Sequence, residues 1–357
     1  MGHFRKNMIS IFLTDKCNMD CKYCYLEKQH KERDNHLIDF NFVKRGISDY
    51  FIDNYDPGIR YFGEGEPTLN YNMMKDIKIY ADSITDRKVK YELQTNGVFN
   101  EEIAEWIRDN LDIVYISLDG PKRLNTLRTL GKNNIQNIIE KNISILMQNS
   151  NLQIGTRATI SSLNVYNQKE IIDYFISMNI KIVFVDLIFC QVGKNKNDYG
   201  VDYKVFVDEF VNAREYAISN DVFYGTMFTT NFDEEVSIAC RSCIPTPHLT
   251  IDGYVSCCDM CCNINSNLKD LIYGKYDSQE DKIYYDEKAI QRIKKRNINY
   301  LDECNLCSIK QYCAGGCLGE ALNESGNMYG IKEESCKATK YLWDKLGGKI
   351  YLPYLHP

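Results

Sequence analysis

The chain has 357 residues, 44% of them hydrophobic, and a net charge of −6, enough to bury a large core in one domain or two. That acidic balance excludes phosphate-backbone binding as a main activity, because a nucleic-acid footprint needs clustered Lys and Arg; the densest basic run, KKR at 294–296, reads as a solvated helix face. No stretch resembles a signal peptide or a membrane span, so the 15 cysteines of a chain read as cytoplasmic point to metal or redox chemistry, not to disulfides.

From residue 8 to about 190, short β-branched runs alternate with amphipathic segments. Strands are expected at 8–13 (MISIFL), 58–62 (GIRYF), 88–93 (KVKYEL), 112–118 (DIVYISL), 153–160 (QIGTRATI) and 180–188 (IKIVFVDLI). Helices are expected near 39–54, 71–84, 100–109, 133–149 and 167–178. This alternation predicts an α/β fold with a parallel sheet, curled by right-handed crossovers into a full or partial barrel. After about residue 220 helical periodicity weakens and cysteines crowd between 240 and 336. HLTIDGYVSCC reads there as a hairpin turning on Asp252-Gly253. This portion lacks apolar residues for a core of its own, so metal clusters would supply the missing stability. The expected domains are 1–225 and 226–345, with a tail at 346–357.

Four unusual loops follow the first four strands, at the strand ends where parallel α/β sheets collect ligand chemistry. The first, TDKCNMDCKYCYLEK, sets Cys17, Cys21 and Cys24 in a CxxxCxxC spacing. Three thiolates leave one iron of an iron–sulfur cluster open to a non-protein ligand. The competing reading is half of a zinc site, although zinc motifs usually pair two such halves. The other three loops are GEGEP at 63–67, QTNG at 94–97 and SLDG at 117–120.

The triplet and its flanks resemble the radical S-adenosylmethionine (SAM) superfamily. The resemblance implies a partial (β/α)6 barrel and a 4Fe–4S cluster on Cys17, Cys21 and Cys24, with SAM chelating the fourth iron. Tyr23 matches the position that lies against the adenine, and Asn18 also fits. Gly63, Glu64, Gly65 and Glu66 occupy the place of the family's GGEP motif, whose backbone bonds the SAM amino group. Glu64 stands where the family usually has a glycine, and is expected to face solvent or join a salt bridge. Gln94, Thr95 and Asn96 match the QTNG loop of peptide-modifying members, close to SAM and substrate. Ser117 and Arg128 match positions that bind the SAM carboxylate, to which an Arg fork donates two parallel bonds.

The later cysteines follow the seven-cysteine order of the SPASM domain, a small cysteine-rich unit found behind the barrel in part of that superfamily. It implies two auxiliary 4Fe–4S clusters, making three in all. Cys304, Cys307, Cys313 and Cys336 would hold the outer one; Cys243, Cys258 and Cys317 would hold the inner one. The fourth inner ligand is open among Cys240, Cys257, Cys261, Cys262 and a vacant iron, with Cys240 favoured because it forms a CxxC pair with Cys243. A zinc ribbon is the alternative for this region. Asp259 matches a proposed base of anaerobic sulfatase-maturing enzymes, with a surface turn as the plain alternative. Cys190 ends the sixth strand and is a candidate hydrogen-atom donor, or else a buried apolar thiol.

The resemblance implies reductive cleavage of SAM to a 5′-deoxyadenosyl radical, hydrogen abstraction from a C–H bond and net oxidation of the substrate. The first expectation is a maturase that forms a thioether or carbon–carbon crosslink in a ribosomally made peptide. The others are formylglycine generation on a sulfatase, peptide epimerisation by a spare thiol, and electron transfer without catalysis. Expected partners are a peptide or protein substrate and a flavodoxin- or ferredoxin-type reductant. Because the chain opens close to its first strand, the N-terminal leader-recognition domain of many such maturases is not expected here; recognition would fall to a separate protein, or the barrel would grip the precursor itself.

Overall fold

The structure, a computed structural model, describes residues 8–26, 36–129, 135–189, 198–354 and 356. Its first half alternates strand and helix: β1 Met8–Phe12, α1 Phe40–Asp53, β2 Gly58–Phe62, α2 Tyr71–Ser83, β3 Lys90–Thr95, α3 Glu101–Asn110 and β4 Ile113–Ser117. There follow α4 Ile135–Leu146, β5 Gln153–Ile160, α5 Gln168–Ser177, β6 Ile182–Leu187, α6 Tyr203–Ser219 and β7 Phe223–Gly225. Strand β1 is buried at every position, as a strand covered on both faces must be. Local signals start the helices. Asp39 caps α1 by accepting from the Phe42 N–H, and Asn100 caps α3, whose first turn is acidic and whose last turn carries Arg108.

All neighbouring pairs from β1 to β7 are parallel. The third strand lies two residues later than expected, because pairing of Lys90 with Gly58 and of Thr95 with Ile116 sets its register. That shift carries Gln94 and Thr95 into the strand, so only Asn96 and Gly97 form the loop. Two elements were not expected, α6 and the three-residue β7. Helix α6 buries Phe206, Val207, Phe210, Ala213 and Ala217, an apolar stripe at helical spacing that was legible in the sequence.

The second half adds β8 His248–Leu249, β9 Tyr254–Ser256, β10 Ile272–Asp277, β11 Lys282–Tyr285, α7 Glu287–Lys294, α8 Leu318–Ser325 and α9 Glu333–Leu346. Strand β8 pairs parallel to β1, so the hairpin prolongs the barrel sheet in the order β11-β10-β9-β8-β1-β2-β3-β4-β5-β6-β7. The hairpin turn has three residues, not two. Thr250 N–H donates to Tyr254 O and Gly253 N–H to Thr250 O, with Gly253 at φ 82°. One hydrophobic core runs from Ile9 to Leu342 through both halves, so the cysteine-rich part shares the barrel's core. No described helix is long and apolar enough to cross a membrane.

Candidate active site

The cysteine loop is fastened to two neighbouring loops by polar groups. Gly65 N–H donates to Thr14 O at 3.0 Å and Glu66 N–H to Lys16 O at 2.8 Å, stitching GEGEP onto the segment before Cys17. A Cβ on Gly65 would stand 2.0 Å from Lys16 O, so that contact admits only glycine. Asn18 Nδ2 donates to Val98 O at 2.8 Å, and Asn96 Nδ2 to Asn18 Oδ1 at 2.7 Å. Glu66 is buried, and its carboxylate accepts from Thr68 N–H and Oγ1, Thr95 Oγ1 and Asn96 N–H. Its side chain thus braces GEGEP against the end of β3. Glu64 does not face solvent: it is buried on the cavity wall and accepts from Asn263 Nδ2 at 3.2 Å, tying GEGEP to the second half.

Asp119, in SLDG, ties together Tyr23 and Arg128, the residues expected at the adenine and the carboxylate of SAM, and was missed by the sequence reading. Tyr23 Oη donates to its Oδ2 at 2.6 Å, and Arg128 Nε to its Oδ1 at 3.1 Å. The Arg128 guanidinium lies 5.3 Å from the Tyr23 ring centroid. Backbone bonds from Lys22 to Leu127 O and from Asp20 to Thr129 O lash the two segments together. Tyr23, Gly63, Glu64, Gly65, Glu66, Gln94, Thr95, Asn96, Ser117 and Arg128 all line one cavity of about 420 Å3 with Cys17, Cys21 and Cys24. That size suits a cofactor-scale ligand.

The far wall of the same cavity belongs to β5, β6 and the second half. Arg157 Nη2 donates to Asp186 Oδ2 at 3.2 Å, and its Nη1 to Gln94 Oε1 at 3.2 Å. His356 Nε2 meets Asp186 Oδ2 at 2.8 Å, so a residue of the expected tail reaches the site. Burial works to raise the Asp186 carboxyl, yet His356 and Arg157 hold it well below the usual carboxylate range. Asp259 lines the cavity as well. It pairs with buried Arg60, accepts from His248 Nε2 at 2.8 Å and lies 3.8 Å from Arg241. Burial again opposes ionisation, and those cations outweigh it, leaving the carboxyl well below its usual range. A carboxylate so stabilised is a weak base.

Later cysteines line two pockets, with Cys313 and Cys317 on both. Cys304, Cys307, Cys313 and Cys336 line a second, smaller pocket. Cys240, Cys258 and Cys317 lie on the main cavity wall, and the thiol of Cys240 is hydrogen-bonded with that of Cys243. Between the sets, Ala314, Gly315 and Gly316 run consecutively at φ 49°, 80° and 68°, a turn that delivers Cys313 to both pockets. Cys257, Cys261 and Cys262 are buried and do not line the cavity. Cys190 lies outside the described residues. KKR also departs from expectation. Lys294 and Lys295 are exposed, but Arg296 is 1% exposed, with its Nε and Nη1 unpaired.

Iron–sulfur clusters and SAM fit these residues. Burial pushes the Cys17 thiol up to about 12 and raises Cys21, so thiolates there need a positive partner such as iron. Among the described residues, no three His, Cys, Asp or Glu side chains are arranged to hold a single metal ion; the outer cysteines surround a pocket.

Residues 11–150 match the family model described as Radical SAM superfamily, and a cysteine-rich C-terminal region follows the match. An uncharacterised protein of Methanocaldococcus jannaschii is 31% identical over 180 residues, covering 49% of this chain and 60% of that relative. The chain thus spans less than two-thirds of that relative's length. A probable GTP 3′,8-cyclase of Methanococcus maripaludis is 24% identical over 295 residues, covering 76% of this chain and 90% of the relative. Among solved structures, anSMEcpe with bound AdoMet and Kp18Cys peptide superposes with TM-score 0.79 at 15% identity, covering 95% of this chain and 96% of that one. Streptococcus suis SuiB bound to precursor peptide SuiA gives TM-score 0.66 at 16% identity, covering 93% and 76%. These likenesses establish a shared α/β fold.

Proposed function

We propose that the chain is a radical SAM enzyme that oxidatively modifies a ribosomally made peptide, forming a thioether or carbon–carbon crosslink. In this reading Cys17, Cys21 and Cys24 hold the SAM-binding cluster. Cys240, Cys243, Cys258 and Cys317 hold the inner auxiliary cluster, and Cys304, Cys307, Cys313 and Cys336 the outer one. Bound there, SAM and the clusters supply a 5′-deoxyadenosyl radical and an electron acceptor. The chain's own work is positional. Tyr23, Asp119 and Arg128 seat SAM, while Gln94, Arg157 and Asp186 form the wall against the substrate. The reductant would be a flavodoxin or ferredoxin.

The observation that carries this reading is the charge of the cavity. Each arginine lining it faces a carboxylate: Arg128 with Asp119, Arg157 with Asp186, Arg241 with Asp259. Among the described residues no lysine lines it. A nucleoside triphosphate would need several uncommitted cations, so a substrate of low charge, such as a peptide segment, suits the wall better than GTP. The structural neighbours anSMEcpe and SuiB were solved with peptides bound, which supports the same class. Epimerisation by Cys257, Cys261 or Cys262 is disfavoured because none reaches the cavity.

The test is anaerobic reconstitution followed by dithionite, SAM and a pooled synthetic peptide library. About twelve irons per chain, 5′-deoxyadenosine and peptide products lighter by two hydrogens are expected. Absence of 5′-deoxyadenosine sinks the enzyme reading. Peptides recovered only as the aldehyde of a former Cys or Ser would move the assignment to formylglycine formation.

A further inference from the structure

Arg296 is the largest unexplained polar group in the second half. It follows α7 and is 1% exposed, with one guanidinium nitrogen satisfied: Nη2 donates to Gly315 O at 2.9 Å. Nε and Nη1 have no partner although they are buried. Leaving such donors unpaired in a protein interior is costly, and more so when the group is charged. An arginine is therefore kept here only if something accepts from it.

Its surroundings identify the acceptor. Gly315 sits in the left-handed turn that joins Cys313, of the outer set, to Cys317, of the inner set. A Cβ on Gly315 would stand 2.3 Å from Leu301 Cδ1 and 3.1 Å from Arg296 Nη1, so the turn is wrapped closely around the guanidinium. The Arg296 charge also acts on Cys243 of the inner set and Cys304 of the outer set. It thus stands between the two proposed auxiliary sites. Glu or Asp would be the usual partner for a buried arginine, but among the described residues Arg296 forms no salt bridge, and the groups its charge acts on include the thiols of Cys243 and Cys304. Clusters carry negative charge on their sulfide and thiolate sulfurs, which accept hydrogen bonds.

We propose that Arg296 is a positioning residue shared by both auxiliary clusters, its unpaired Nε–H and Nη1–H donating to cluster or cysteinyl sulfur. The inference rests on the auxiliary-cluster reading above. Donors and positive charge at the sulfurs favour the reduced state, so one side chain would raise both reduction potentials together. It would also couple them, because the electron density of one cluster is felt at the guanidinium that bonds the other.

The experiment is an EPR-monitored redox titration of the reconstituted full-length protein, wild type against Arg296→Met and Arg296→Lys. Arg296→Met should shift both auxiliary signals to lower potential. Arg296→Lys, which keeps the charge but loses the fork, should give a smaller shift in the same direction. The SAM-perturbed signal of the Cys17, Cys21 and Cys24 cluster should not move, which controls for folding. Unchanged auxiliary potentials in a variant holding about twelve irons overturn the proposal alone. A wild-type protein that takes up only about four irons overturns the auxiliary-cluster reading and this proposal with it. Should Arg296→Met fail to fold, the lysine variant decides by the same criterion.

Discussion

The two ends of the main cavity are built from different materials. At the end proposed to bind SAM, amide and carboxyl groups bind backbone and side chains: Asn18 holds Val98, Asn96 holds Asn18, and Glu66 takes four donors from Thr68, Thr95 and Asn96. At the cysteine-rich end, short strands and single turns place cysteines around pockets, and Arg296 is left with unpaired donors. The loops of the first end are held to one another by polypeptide hydrogen bonds, whereas in the proposed reading clusters would supply bonds that the second end lacks.

Iron removal separates the ends most sharply. A chelator should release amide protection across 240–336 while β2 to β6 keep theirs, as measured by hydrogen exchange; uniform loss would erase the distinction. Gly65→Ala attacks the other end. A Cβ 2.0 Å from Lys16 O forces the cysteine loop away, for about 3 kcal/mol of stability and loss of SAM binding by equilibrium dialysis. An unaltered SAM affinity would show that the loop does not depend on that contact. Glu66→Ala should cost about 2–3 kcal/mol in thermal unfolding, because it strands buried donors.

Legibility in the sequence divides along the same line. The gathering of the rim loops at one cavity was readable because its signals are local: a spaced triplet, a glycine at a close approach, loops that each follow a strand. Asp119 escaped because its role depends on meeting Tyr23 across 96 residues, which no spacing shows. His356 escaped for the same reason, as it reaches Asp186 across 170 residues. Arg296 was read as a solvated charge because KKR carries no sign of which member turns inward. The hairpin turn was placed one residue short because Asp252-Gly253 is a two-residue signal that also fits the end of a three-residue turn.

Asp259 and Asp186 give the finer tests, since both sit where the ends meet. Asp259→Asn should cost about 2 kcal/mol, because buried Arg60 loses its counter-charge, while 5′-deoxyadenosine formation without substrate persists. Collapse of that formation would place Asp259 at the SAM end. Asp186→Asn should cost less, about 1 kcal/mol at neutral pH, since the Asn oxygen still accepts from Met227 N–H and Thr226 Oγ1. Its signature is pH dependence. The folded-state carboxyl is held below its unfolded value by His356 and Arg157, which overcome the opposing effect of burial. Its contribution is therefore fully present above the unfolded value of about 4 and is lost as pH falls through the folded one. Denaturant midpoints should fall with acid more steeply in wild type than in Asp186→Asn below about pH 4. Parallel curves would mean that His356 and Arg157 do not hold the carboxylate, and that the tail is not a working wall of the cavity.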